Sequence, residues 1–224
     1  EKWNIGINTD IGTLQDTQTG AETERLAGGV QVGFGFDKLQ LSSGIEYRSD
    51  DVEQLDLSRN ERTTWLFRNS FKYQVNPGSR LLGKLNHSES ESSQGTFYDG
   101  GFTEAVMGYA YRPIINDRLN ALVKYTYFYN VPTTGQATLQ NTAAEFIQKS
   151  HIASADVTYD VTERISIGGK YAYRLGQVSL DRENPEFFDN NASLYVVRGD
   201  YRLAKNWEFM LEGRLLDMPD LNES

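Results

Sequence analysis

The sequence contains no cysteine, no long apolar run and no excess of positive charge. Without cysteine, neither a disulfide framework nor a thiolate metal site is available. No stretch of 18 apolar residues occurs, which excludes a transmembrane helix. A net charge of −9 argues against nucleic acid as a partner. No signal peptide opens the chain, as expected of a mature or trimmed polypeptide. Histidine is scarce, with two in 224 residues. Hydrophobic residues make up only 38%, yet there are 13 Tyr, 11 Phe and 20 Gly. That is a poor recipe for a helical core and an ordinary one for a barrel with a wet interior.

What is present is a period of two. Leu39, Leu41, Ile45 and Tyr47 are odd, as are Trp65, Phe67, Phe71, Tyr73 and Val75. The same parity runs through Leu81 and Leu85, then Ala105 to Tyr111, Leu119 to Tyr129, and Val157 to Val161. It continues through Ile165 to Tyr173, Tyr195 to Leu203 and Trp207 to Leu215. Twelve of the 13 tyrosines are odd; Tyr98, in an expected loop, is the exception. Strict alternation predicts strands with one apolar and one polar face. An earlier strand carries Trp3, Ile5 and Ile7, and a second, even-phased one carries Leu26, Val30, Val32, Phe34 and Phe36. Eleven strands are therefore expected.

The polar face holds the charges. The basic residues are Arg68, Lys72, Lys84, Lys124, Lys170, Arg198, Arg202 and Arg214; the acidic ones are Glu46, Glu104, Asp156, Asp160, Asp200, Glu208 and Glu212. This near balance suits a lumen in which opposite charges pair. Aromatics collect at strand ends. Trp3, Phe36, Tyr73, Tyr111, Tyr159, Tyr201 and Trp207 lie on one side, and Tyr47, Trp65, Tyr127, Tyr129, Tyr173 and Tyr195 on the other. Two such rings bracketing aliphatic residues match the interfacial girdles of membrane barrels. Short connections at 37–38, 76–79, 113–118, 162–164 and 204–206 alternate with long polar loops near 13–24, 48–63, 88–101, 130–148 and 175–192. Short turns on the periplasmic side and long loops outside is the outer-membrane arrangement.

The expectation is an all-β, transmembrane, antiparallel up-and-down β-barrel over residues 1–224, in the outer membrane of a Gram-negative bacterium, touching lipid and lipopolysaccharide. About eight strands suffice to fill a barrel with side chains. Eleven or more would leave an apolar interior too wide to pack, so the apolar face should point outward. Bacterial single-chain barrels have an even strand count, and an open edge in lipid is costly. Further strands are therefore expected from the rest of the chain or a partner, making a barrel of 12–14 strands or more.

The stretches FYDGGFTEAVMGYAYRP, DRLNALVKYTYFYNVPTT, AAEFIQKSHIASADVTYD and GGKYAYRLGQVSLDRENPEFFDNN resemble the C-terminal barrel of very large, repeat-rich Gram-negative outer-membrane proteins. The resemblance covers roughly residues 60–220 and carries no catalytic motif. It implies upstream extracytoplasmic domains and strands beyond Ser224.

The chemistry candidates are few. His87, within LNHSESESS, resembles the histidine of the NHxS run of outer-membrane phospholipase A. Residues on one strand face are two apart, however, and the residue two after His87 is Glu89, with Ser88 and Ser90 on the other face. His151 reads as another interfacial residue. Asp50, Asp51, Glu53, Asp56, Asp181, Glu183, Glu186 and Asp189 offer carboxylates for divalent cations bridging lipopolysaccharide. They lack the ordered spacing of a calcium loop and read as solvated loop residues. No cofactor, no metal site and no enzymatic activity are expected. A membrane anchor or scaffold for a larger surface protein is the leading function; a pore for small polar solutes is the alternative, and a phospholipase-like enzyme the least favoured.

Overall fold

The computed structural model describes residues 2–15, 22–53, 59–95, 99–115, 117–131 and 146–219. They form one antiparallel sheet. In chain order the strands are β1 (Lys2–Gln15), β2 (Glu22–Phe36), β3 (Leu39–Glu53), β4 (Arg59–Asn76), β5 (Ser79–Ser92) and β6 (Gly100–Tyr111). Then come β7 (Leu119–Val131), β8 (Ile147–Asp160), β9 (Ile165–Ser179), β10 (Phe188–Asp189), β11 (Ala192–Ala204) and β12 (Trp207–Asp217). Each long strand pairs with its sequence neighbours, and β10 pairs β9. The partners of β10 and β11 on β9 follow one register, Phe188 opposite Val178 and Ala192 opposite Arg174. The two are one strand interrupted at Asn190 and Asn191, which reconciles twelve segments with the eleven strands expected. Strand β8 ends at Asp160, one residue short of the expected Val161, which begins the turn.

Registers explain the parity. A two-residue turn puts residue n opposite n+3 and so exchanges odd for even across the pair. At Asp37–Lys38 the exchange stands: Phe36 faces Leu39, and β2 is even-phased where β3 is odd-phased. Asp37 takes φ 38°, a left-handed conformation that Asp tolerates in such hairpins. The Pro77–Gly78 and Lys205–Asn206 turns are also two residues long, yet parity is kept. In each, one extra residue is inserted: Gln74 faces Arg80 but Asn76 faces Ser79, and Arg202 faces Glu208 but Ala204 faces Trp207. These bulges at Val75 and Leu203 cancel the turn's exchange and keep the apolar face continuous.

The short connections share one rim. Backbone N–H groups of Gln74, Arg112, Asp160 and Arg202 donate to the carbonyls of Lys38, Gly78, Arg118 and Arg164, at 2.7–2.9 Å. At the opposite end the strands run further than expected. Residues 48–53, 59–63, 88–92 and 175–179 are strand rather than loop. Strands of 14 to 18 residues in β1–β5 exceed the 9–11 that cross a bilayer, so their polar ends project beyond it.

No apolar core exists among the described residues: Ala27 and Ala192 are the only buried hydrophobic residues. From Ser150 to Asp160 of β8 the odd residues of the apolar face are exposed and the even residues of the polar face covered, and Ile165 to Val178 of β9 repeat this, exposed Lys170 excepted. Covering of one face is the signature of curvature, so the polar face is concave and the apolar face convex. Direct partners followed from Trp3, near the short-turn end of β1, climb to Asp217 at the far end of β12, passing Phe71, Tyr125 and Tyr173. This stagger is the tilt a barrel wall requires. The sheet remains open: among the described residues β1 pairs with β2 alone and β12 with β11 alone.

Candidate functional site

The convex face carries the aromatic sets. Trp3, Phe36, Trp65, Tyr73, Tyr111, Tyr159, Tyr173, Tyr195, Tyr201 and Trp207 are exposed, while Tyr47, Tyr127 and Tyr129 are half-covered. Tyr47 lies against Trp65 at 4.8 Å between ring centroids, and Tyr171 against Tyr195 at 5.0 Å. Both histidines belong to this face. His87 Nδ1 lies 2.9 Å from Thr103 Oγ1, and His151 Nδ1 lies 2.7 Å from the Tyr125 hydroxyl. Ser90 bonds Thr64 on the opposite face, so no histidine–serine pair is assembled.

The concave face carries the expected charges, distributed along the wall rather than gathered at one point. Arg68 pairs with Glu46 and Arg214 with Glu212; Lys84 reaches Glu104 at 2.7 Å and Arg198 reaches Asp200 at 2.9 Å. Asp156 stands opposite Lys170 in register, and Arg202 opposite Glu208. Ser166 donates to Asp200 at 3.3 Å, beside Asp160 across the β8–β9 pair. Lys72 and Lys124 have neutral cross-strand partners: Gln40 and Leu82 for Lys72, Gly108 and Ser154 for Lys124.

Eight charged residues of the same face lay outside the set read from the sequence: Lys2, Asp10, Arg25, Arg48, Asp50, Arg62, Arg80 and Arg174. The signal was parity. Arg48, Asp50 and Arg62 continue the even phase past Tyr47 and Trp65, and Arg25 follows the reversed phase of β2. Arg25, Arg48, Asp50 and Arg62 form a cluster at the outer mouth. Asp50 is 7% exposed, with Arg25 at 2.8 Å and Arg48 at 3.0 Å, and Arg62 stands opposite it in register. The bond to Asp50 raises the Arg25 pKa, whereas burial lowers that of Arg62. Arginine stays charged in either case.

Of the acidic residues expected in solvated loops, the three on β3 need correction. Asp50 is buried on β3 with its arginines, and Asp51 and Glu53 are strand residues within reach of Arg59 at 3.9 and 3.3 Å. Asp181 accepts from the backbone N–H groups of Glu183 and Asn184, which closes a local turn. Asp189 accepts from Gln177 at 3.3 Å. Asp56 and Tyr98 lie outside the described residues. Among the described residues no group of three His, Cys, Asp or Glu is placed to hold a metal ion.

No family model and no curated protein matches the sequence. Solved structures do. The siderophore receptor PirA from Pseudomonas aeruginosa superposes with a TM-score of 0.67 at 9% identity, over 98% of this chain and 40% of that one. OmpT, an outer-membrane protein of Vibrio cholerae, gives 0.48 at 8% identity, over 97% and 90% of the two chains. The translocator domain of the autotransporter NalP from Neisseria meningitidis gives 0.33 at 7%, over 96% and 81%. The chain thus spans well under half the length of the siderophore receptor it resembles. A convex belt of exposed aliphatic residues between aromatic rings is stable only against hydrocarbon, since each such side chain gains about 1.5–3 kcal/mol on leaving water. Together with the superposition, this makes the chain a transmembrane wall of the outer-membrane β-barrel type, set in the outer membrane of a Gram-negative cell.

Proposed function

We propose that the chain anchors a larger surface or envelope protein in the outer membrane, its two free edges completed by strands of the same polypeptide or of a partner. The observation that carries this reading is the open sheet: β1 and β12 each leave one row of backbone groups unpaired among the described residues. Such groups in hydrocarbon cost several kcal/mol each, so strands must cover them in the membrane. No catalytic role belongs to this reading. The test is deletion of residues 2–217 from the full-length protein, followed by fractionation and urea extraction of membranes. The intact protein should stay in the outer-membrane fraction and the deleted one should leave it. Retention of the deleted protein would overturn the anchor.

A second reading, a pore for small polar solutes, is favoured by the charged concave face. Steady single-channel conductance of the full-length protein in planar bilayers supports it, and an electrically silent insertion rejects it.

A further inference from the structure

The charges of the concave face are unevenly placed. On β2–β5 the cations are Arg25, Arg48, Arg62, Arg68, Lys72, Arg80 and Lys84, and the anions are Glu46 and Asp50. Seven against two leaves a surplus of five positive charges on four adjacent strands. The rest of the wall is neutral. On β6–β12 six cations (Lys124, Lys170, Arg174, Arg198, Arg202, Arg214) meet six anions (Glu104, Asp156, Asp160, Asp200, Glu208, Glu212). The convex side of β2–β5 shows the reverse. There Glu22, Glu24, Asp51, Glu53, Glu61, Glu89 and Glu91 stand against Arg59 alone. A chain of net charge −9 thus carries the positive surplus of its inner wall on one stretch.

The surplus is continuous. Arg25, Arg48 and Arg62 surround buried Asp50 at the outer mouth. Arg68 and Lys84 follow at mid-wall, each with one carboxylate partner, Glu46 and Glu104. Arg80 and Lys72 finish the series near the short turns, with no ion pair among the described residues; Arg80 donates to the neutral Gln74 at 3.0 Å. Between the charges the wall is shallow, because Gly6, Gly29, Gly33 and Gly44 of β1–β3 share this face. Asn8, Gln31 and Ser42 line the same hollow, which has a volume of about 570 Å³ and reaches Glu46, Arg68 and Lys84.

We propose that β2–β5 form an anion-attracting lane along the inner wall, running from the outer mouth to the short-turn rim and taking small anionic solutes such as carboxylates and phosphates. The inference deepens the pore reading and rests on it for transport. The physics is that of charged pore linings: fixed cations beside a low-dielectric wall raise the local anion concentration and reject cations. Guanidinium groups dominate the lane, so its charge persists across the physiological pH range.

Residues 1–224 contain no cysteine, so a thiol introduced there reports local potential cleanly once any cysteine elsewhere in the full-length protein is replaced by Ser. Ser70→Cys places one in the lane, opposite Lys84, and Thr158→Cys places one on the neutral wall, opposite Asn120 and Gly168. Each variant of the full-length protein is labelled with an anionic and a cationic methanethiosulfonate. The rate ratio of the two reagents cancels differences in thiol ionisation. The anionic-to-cationic ratio at residue 70 should exceed that at residue 158 by about tenfold at low salt and fall toward it at 1 M salt, where the Debye length is about 3 Å. Adding Lys72→Glu and Arg80→Glu should remove most of the difference. Equal ratios at the two positions, or a thiol at residue 70 unreactive to both reagents, overturn the lane whatever the conductance. In bilayers under a KCl gradient the reversal potential should show chloride preferred. A silent insertion with the labelling bias intact overturns the pore and leaves an anion-binding wall.

Discussion

At the scale of single residues, the two faces of a strand obey opposite rules. Val123 is exposed on the convex face of β7, and its neighbour Lys124 points to the concave one. Val123→Arg should cost about 2–4 kcal/mol near the bilayer midplane, read as a lower urea midpoint in vesicles. Lys124→Glu should leave that midpoint within about 0.5 kcal/mol. Gly83 shows a local constraint on the convex face. A Cβ there would meet the Phe71 ring at 2.0 Å, so the ring lies across the glycine and fills its place. Gly83→Ala should therefore destabilise by about 1–3 kcal/mol through overpacking. Phe71→Ala introduced first should remove most of that cost, because one contact underlies both effects. An additive pair of effects would show that the contact is unimportant.

At the scale of elements, the strands depend on turns and bulges acting together. The two-residue turn at Pro77–Gly78 is tight enough that Gly78 accepts from the Arg112 N–H at 2.7 Å, and a Cβ on Gly78 would stand 2.9 Å from the Arg112 carbonyl oxygen. The bulge at Val75 then restores the parity that the turn exchanges. Deleting Val75 alone should put Phe71 and Tyr73 on the wet side or force a register slip. We expect loss of the heat-modifiable, folded band on gels, while deletion of the exposed loop residue Ile115 should be tolerated. The loop after β9 shows order of a different kind. Arg182 donates to the carbonyl of Asp99, and Lys149 lies 4.1 Å from the Phe187 ring centroid, so the segment folds down over the outer rim. A short epitope inserted after Asn184 should be detected on intact cells. Detection only after permeabilisation would invert the topology.

At the scale of the whole molecule, the open edges decide the assembly. Eleven full strands joined up and down send β1 and β12 in the same direction, so a direct seam between them would be parallel, against the antiparallel pattern of every other pair. Ile7→Cys with Leu211→Cys should therefore form no intramolecular disulfide in the membrane-assembled protein under mild oxidation, because completing strands keep the edges apart. Rapid quantitative closure would show a sealed eleven-strand barrel and remove the reason for partner strands.

The alternation of Leu119, Ala121, Val123, Tyr125 and Tyr127 was enough to establish strands with one apolar and one polar face, because a period of two leaves side chains no other placement, and the short connections gave their antiparallel order. The same parity located Lys84 and Glu104 on one wall, although their contact needed the register of β5 and β6. Where both faces of a strand are polar, as at residues 48–53 and 88–92, hydropathy does not distinguish strand from loop, and only backbone pairing revealed the extensions. Nor does composition bring Arg25 beside Asp50, 25 residues away. Periodicity, a local property, determined that this chain is built of two-faced strands, and the strand count with the aromatic rings at strand ends put the apolar face outside. Register and tilt, which depend on every turn and bulge at once, decided that the positive surplus of its inner wall lies on four strands and that its edges stay open.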